Sequence, residues 1–282
     1  MVTVSGLYIY PVKSLGGIKV DAAELTDRGF KHDRRWMLVD NDNRFLTQRG
    51  HPQMALLQTS VADNGIRVSQ KNDPSRQILI PFFYSSDDKV VVNIWDDFCE
   101  AVVISDELNE WFSNALSLPC RLVHMPDDSL RKVDERYAVT KNEVTSFSDA
   151  YPILIISQES LDDLNNRLPD EIPMNRFRPN IVVAGCEPYG EDTMHHFTIN
   201  GIDFYGVKLC ARCVMPTINQ DTAEKSKEPT RTLYGYRRRE HNVYFGQNVL
   251  YHNTGVIKVG DTLDVLQRSE MPVFETASAV QQ

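Results

Sequence analysis

Absences narrow the possibilities before any motif is read. No apolar run approaches the ~20 residues a helix needs to cross a bilayer, so no membrane-spanning helix is expected. Residues 1–10 (MVTVSGLYIY) have no basic start ahead of an apolar stretch and no small-residue cleavage site. They read as a strand rather than a signal peptide, and a cytoplasmic location is expected. Positive charge is in short supply, 30 Lys and Arg against 39 Asp and Glu for a net charge of −9. That argues against nucleic acid as a partner, because neutralising phosphates needs a basic surface. Cysteine is scarce and odd in number: Cys99, Cys120, Cys186, Cys210 and Cys213. With no secretion signal, this argues against a disulfide scaffold. One C-x-x-C exists, Cys210 to Cys213, and there is no second to complete a four-thiolate zinc site. Internal repeats and low-complexity tracts are also missing, which sets aside repeat arrays.

What is present is a 282-residue chain, 41% hydrophobic and 24% charged, long enough for one large domain or two modest ones. Its first hundred residues are short β-rich runs separated by turns: 4–10, 18–25, 36–39, 55–61, 66–69, 78–83 and 90–95. Asn64-Gly65 between two of these is a two-residue hairpin signal, because a type I′ turn needs φ > 0 at both positions. Such spacing suggests a barrel or sandwich rather than a parallel α/β sheet. Leu108, Trp111, Phe112 and Leu116 make one apolar face of a helix over 106–116. A second helix is expected from Ser157, a capping residue, to about Arg167, with Pro169 stopping it. A third follows Pro229, over roughly 230–238. Further strands are expected at 181–184, 197–199, 202–208, 243–250 and 256–259, with Asn200-Gly201 as a second hairpin turn. The segment after Arg268 has no periodicity and is expected to be a loosely ordered tail. The expected class is therefore β-rich α+β, strands closing into barrels with a few helices outside.

The segment carrying most chemistry is 207–217 (VKLCARCVMPT), at the end of an expected strand. Lys208 and Arg212 flank the thiols, and nearby positive charge favours thiolate, the form that acts as nucleophile or metal ligand. A thiolate suits a sulfur-loving metal. The alternatives are two half-buried cysteines acting as small hydrophobes, a redox pair, or half of a zinc site. A thioredoxin-like pair belongs at a helix N-terminus in a βαβ unit, whereas this one follows a hairpin strand and precedes Pro216. Zinc would need histidines from His195, His196, His241 and His252, none with the usual spacing. In segment 10–17 (YPVKSLGG) a strand gives way to a Lys13-Ser14 turn with Gly16 and Gly17, groups suited to an oxyanion although not a P-loop. Asp33-Arg34-Arg35-Trp36 and Asn175-Arg176-Phe177-Arg178-Pro179-Asn180 place arginine forks at strand mouths. Singly, each of these also fits an ordinary turn or structural ion pair.

Together the segments are more specific. Pro11-Val12-Lys13-Ser14, Asp33-Arg34, Phe177-Arg178-Pro179-Asn180, Cys210-Ala211-Arg212-Cys213, 245–248 (FGQN) and 255–261 (GVIKVGD) stand in the order found in the MOSC family. The chain resembles its bacterial YcbX-type members and the mitochondrial amidoxime-reducing component, over essentially residues 2–267. The resemblance implies an N-terminal β-barrel domain over 1–123, a MOSC β-barrel domain over 124–269 and a tail over 270–282. It implies the molybdenum cofactor (Mo-molybdopterin) between the two domains, with Cys213 as protein ligand to the metal. Lys13, Ser14, Arg34, Arg178, Asn180 and Arg212 match positions that hold the cofactor's phosphate and pterin. Ser148, Asp149 and Asn248 align with further cofactor-contacting segments, and Asp149 is a candidate proton relay.

Ala211 departs from the Ser common between the two cysteines of relatives, and 215–217 (MPT) replaces a more Thr-rich run. YcbX-type chains continue into a [2Fe–2S] domain and the mitochondrial relative carries a membrane anchor; neither is expected here. The expected activity is reductive oxygen removal from N-hydroxylated small molecules, with electrons from a separate ferredoxin- or flavoprotein-type donor protein and no membrane partner. The alternatives are a sulfur carrier with a persulfide on Cys213 or Cys210, or a cofactor-binding and storage protein without turnover. A pyridoxal-dependent desulfurase domain, which sulfur delivery would call for, is not expected in a chain of this length.

Overall fold

The computed structural model describes residues 1–275. Seven strands close into a barrel: β1 (Val2–Ile9), β2 (Ile153–Ser157), β3 (Ile181–Ala184), β4 (Met194–Ile199), β5 (Ile202–Arg212), β6 (Asn242–His252) and β7 (Thr262–Arg268). Around the barrel the order is β1-β3-β2-β6-β5-β4-β7 and back to β1. All pairings are antiparallel except β2 with β3. Parallel neighbours need a crossover, and here it contains the helix Gln158–Asn165, capped by Ser157, whose hydroxyl accepts from the Ser160 amide. The barrel is filled by Leu7, Ile155, Phe197, Phe204 and Val249, all fully buried. Alternation on β1 and β4 places these side chains inward because successive strand residues point to opposite faces.

The other strands of the first half form two sheets. One pairs Trp36–Val39, Arg121–His124, Asp97–Val103 and Lys89–Ile94 in that order; the other is Leu57–Ala62, Gly65–Gln70 and Asp73–Pro81. The helix Asp106–Leu116 forms where its apolar spacing predicts, with the Ser105 hydroxyl accepting from the Leu108 amide and Leu108, Phe112 and Leu116 buried. The sheets cross the expected division at residue 123. Strand β1 lies in the barrel with strands beyond residue 150, and Ala22–Leu25 pairs with Gly255–Lys258. Burial decides this: the inward side chains of β1 belong to the barrel core, whatever their place in the chain.

Three local expectations are corrected. The run 18–25 is broken at Asp21 into Ile18–Val20 and Ala22–Leu25. The helix after Pro229 stops at Tyr234, because Arg237 is drawn into a buried pair with Asp192 (2.5 Å) and Arg238–Arg239 joins β6 as a strand. The end of the chain is docked at least to residue 275: the Ser269 amide donates to Thr193 O (2.9 Å), Phe274 lies 4.1 Å from the Arg237 guanidinium and Glu275 pairs with Arg238. The rest of the expected tail, 276–282, lies outside the described residues. Among the described residues, no helix is long and apolar enough to cross a membrane.

Candidate functional site

Antiparallel pairing of β1 with β3, and parallel pairing of β3 with β2, bring three chain segments to one place. The turn after β1 carries Lys13 and Ser14, the approach to β3 carries Arg178 and Asn180, and the approach to β2 carries Ser148 and Asp149. The strand β5 overshoots, and its end is tied down by Arg212, which donates to Phe177 O at 2.7 Å. Cys213 follows directly. Asn248 enters from β6, paired with Leu154 of β2 and Lys208 of β5.

These segments surround a cleft with about 750 Å³ of open space, its mouth included. All ten residues expected from the sequence line it: Lys13, Ser14, Arg34, Ser148, Asp149, Arg178, Asn180, Arg212, Cys213 and Asn248. Ser14, Arg34 and Arg178 have φ of 66°, 49° and 57°. A left-handed backbone at non-glycine residues costs on the order of 1 kcal/mol or more each. The surrounding contacts hold them there: the Arg34 amide donates to Tyr10 O (2.8 Å), and its guanidinium reaches Asp33 (2.6 Å) and Asn180 Oδ1 (3.0 Å). The Arg34 and Arg178 guanidinium groups both lie over the Tyr10 ring, at 4.5 and 4.2 Å from its centre.

Cys213 is exposed to the cleft, and Arg49 Nε donates to its sulfur at 3.2 Å while the Met215 amide lies 3.4 Å away. Cys210 is half-buried and takes Arg212 Nη1 at 3.1 Å. The other cysteines are unlike these two: burial pushes Cys99 and Cys186 up to about 11 and raises Cys120. Among the described residues, no three His, Cys, Asp or Glu side chains gather to hold a metal ion. Cys213 can therefore serve a metal here only as one ligand to an ion that brings its other donors with it.

Arg49, a cation beside a turn-like segment, belongs to none of the sequence motifs. Besides Cys213 it reaches Asp149 Oδ2 (2.8 Å) and lies 4.6 Å over the Trp95 ring. Lys13, 6% accessible, donates to Asp149 Oδ1 (2.6 Å) and Phe147 O (2.7 Å), whereas 56% of the Asp149 side chain faces the open cleft. Burial brings Lys13 down to about 8 although Asp149 opposes it. Burial favours the neutral form of Asp149, but Lys13 and Arg49 overcome it and hold the carboxylate well below its usual range. Arg131 is the second such residue. It is buried and donates to Ser146 O (3.0 Å), Ser148 O (2.7 Å) and Asp149 O (2.9 Å), fixing the segment that presents Ser148 and Asp149. A solitary arginine carries no local sequence signal, and its role appears only with its distant partners.

One feature of the wall tests what occupant would fit. Arg212 Nε is buried with no partner, and the next residue in the chain, Cys213, has a thiol open to the cleft. A buried unpaired donor on a cation costs free energy unless an acceptor reaches it. An anionic ligand carrying a thiophilic metal meets both demands.

Residues 1–119 match the MOSC N-terminal beta barrel domain and residues 142–264 the MOSC domain. The chain is 32% identical to the mouse mitochondrial amidoxime-reducing component 1, over 94% of this chain and 82% of that one. The human protein of that name gives 32% over 94% and 83%. This chain belongs to the MOSC family. The rice molybdenum cofactor sulfurase is also similar, 32% identical over 85% of this chain but only 31% of its own length. As a MOSC-family protein, the chain has the strand-rich, barrel-based α+β fold expected from its sequence.

Proposed function

We propose that this protein is a molybdenum-cofactor-dependent reductase that removes oxygen from N-hydroxylated small molecules, taking electrons from a separate donor protein of ferredoxin or flavoprotein type. The observation carrying this reading is the Cys213 thiol, open to the cleft at the end of β5 and set among Arg49, Arg212 and Arg178. Similarity to the amidoxime-reducing components over nearly the whole chain supports the reaction class. When bound, the cofactor supplies a redox-active metal able to take oxygen from a substrate and to be reset by two electrons.

On this reading Cys213 ligates the metal. Arg34, Arg178, Arg212, Lys13, Ser14 and Asn180 hold the anionic and pterin parts, and Ser148 and Asn248 complete the wall. Arg49 orients the sulfur through its 3.2 Å hydrogen bond. Asp149 is the acceptor in its pair with Lys13, so a proton delivered from this pair leaves Lys13 Nζ, which burial brings to about 8 and hence toward neutrality.

The test is expression with cofactor supply, metal analysis of the purified protein, and reduction of an amidoxime by an artificial reductant. The expected result is bound molybdenum and turnover in the native protein and loss of both in Cys213→Ala. Full metal loading with turnover in that variant would overturn the assignment. Thiol mass spectrometry showing a persulfide on Cys213 or Cys210 without metal would favour a sulfur carrier, and metal without turnover a storage protein.

A further inference from the structure

We propose that a second, smaller cavity behind Arg178 binds a phosphate-class dianion, separately from whatever fills the main cleft. The cavity has about 510 Å³ of open space, its mouth included. Three cations line it, Lys19, Lys71 and Arg178, and among the described residues no carboxylate does. In a chain of net charge −9 such a one-sided lining is not what scattered surface charge produces. Asp221, 74% accessible, meets Lys71 at 3.1 Å, and Asp33 accepts from the Tyr10 amide at 2.8 Å, but neither lines the cavity.

Two residues of this lining each carry a donor with no partner. Arg178 is 8% exposed and Tyr10 is 1% exposed, and both Arg178 Nη2 and the Tyr10 hydroxyl are buried and unpaired. The other terminal nitrogen of Arg178 is committed to Leu15 O at 2.7 Å. The Tyr10 hydroxyl stays protonated, because burial raises it above its ordinary range, and it can only be satisfied as a donor by an incoming acceptor. Lys71 already donates to Gln220 O (2.7 Å) and Asp221 (3.1 Å), which leaves it one proton to offer; a tetrahedral dianion would bring acceptors for that proton, for Lys19, for the guanidinium and for the phenol.

The sequence motif at 10–17 is split by the fold. Lys13 and Ser14 face the main cleft, but Gly16 and Gly17 line this second cavity. A Cβ on Gly17 would stand 2.3 Å from the Tyr10 ring, so this glycine lets the tyrosine lie where it does, while one on Gly16 would stand 2.6 Å from Gln58 Oε1. The motif thus serves two sites, with Arg178 as the wall between them.

Isothermal titration with inorganic phosphate tests this, using the native chain with and without bound cofactor and the variants Lys19→Ala, Lys71→Ala and Arg212→Gln. Arg212 lines only the main cleft. Saturable binding is expected in both native forms and in Arg212→Gln, weakened about fivefold or more in each lysine variant, the loss of one charge-assisted contact. Lys19 is exposed and paired with no described residue, so Lys19→Ala keeps the test open should Lys71→Ala fail to fold. Binding abolished by Arg212→Gln or by cofactor loading would place the ion in the main cleft and overturn the proposal. So would unchanged affinity in both lysine variants, or no saturable binding up to about 10 mM.

Discussion

Arg131→Met is the substitution that asks most of this structure. Arg131 touches no open part of the cleft, yet three carbonyls of the 146–149 segment converge on it and its Nε reaches Asp97 at 2.8 Å. Methionine keeps much of the stem and removes every one of those bonds. Hydrogen bonds to a charged group contribute about 1.5–3 kcal/mol each, but the four do not add, because the loop relaxes once the first is lost. Asp97 recovers water, since its side chain is 49% accessible. What cannot be recovered is the pairing of the buried Ser146 and Ser148 carbonyls, at about 1–3 kcal/mol per orphaned group. A net loss of about 3 kcal/mol follows. For 282 residues at roughly 2 cal/mol/K of unfolding entropy per residue, that lowers Tm by about 5 °C. Differential scanning calorimetry of the apo protein gives the stability, and metal content after expression with cofactor gives the effect on the cleft. Arg131→Lys, which returns the charge but not the fork, should fall between. A Tm drop under about 1 °C with undiminished metal retention would show that Arg131 positions nothing.

Other outcomes follow from single groups. Burial holds His124 near 4 in the folded protein, against about 6.5 when unfolded, so the unfolded chain binds the extra proton between those values. Stability is therefore full above about pH 6.5 and falls as the pH drops toward 4, by about 2 kcal/mol for a partly accessible ring; denaturant titrations of His124→Gln should lack this slope. Gly65→Ala should prevent folding or cost several kcal/mol, because the new Cβ would lie 2.1 Å from Ile80 O. Gly201→Ala, with open space around it and φ of 75°, should cost only about 1 kcal/mol. Equal midpoints for the two alanine variants would contradict that contrast.

The two Asn-Gly pairs show what a sequence can and cannot disclose. At Asn200-Gly201 both residues have positive φ, 50° and 75°, and Ile199 faces Ile202 across the turn, as the I′ signal predicts. At Asn64-Gly65 the hairpin forms, but Ala62 pairs with Gly65, so the turn is Asp63-Asn64 and neither Asn64 nor Gly65 has positive φ. That glycine is required by the approach of another strand, which no local pattern reveals. The same limit applies to the cleft. Lys13-Ser14, Arg178, Asn180 and the Cys210–Cys213 pair were legible because several unusual residues stand side by side at strand ends. Arg49 stands out only as one of several cations beside turns, and Arg131 not at all, because each is one arginine whose partners lie elsewhere in the chain.

Distance along the chain also explains why the cleft and the barrel cannot be treated as independent. Lys13 meets Asp149 across 136 residues, Arg49 meets Asp149 across 100, and Arg49 meets Cys213 across 164. Each contact bridges distant segments, and β1, seated between β3 and β7, carries the chain into the turn that holds Lys13. The left-handed backbone at Ser14, Arg34 and Arg178 adds strain that an isolated loop would release. It persists because the closed barrel fixes the ends of those loops and leaves them no alternative path. A residue pointing into the cleft is thus placed by strand pairing far from it. Loosening β1 should disperse the cations around Cys213 before the remaining barrel strands separate.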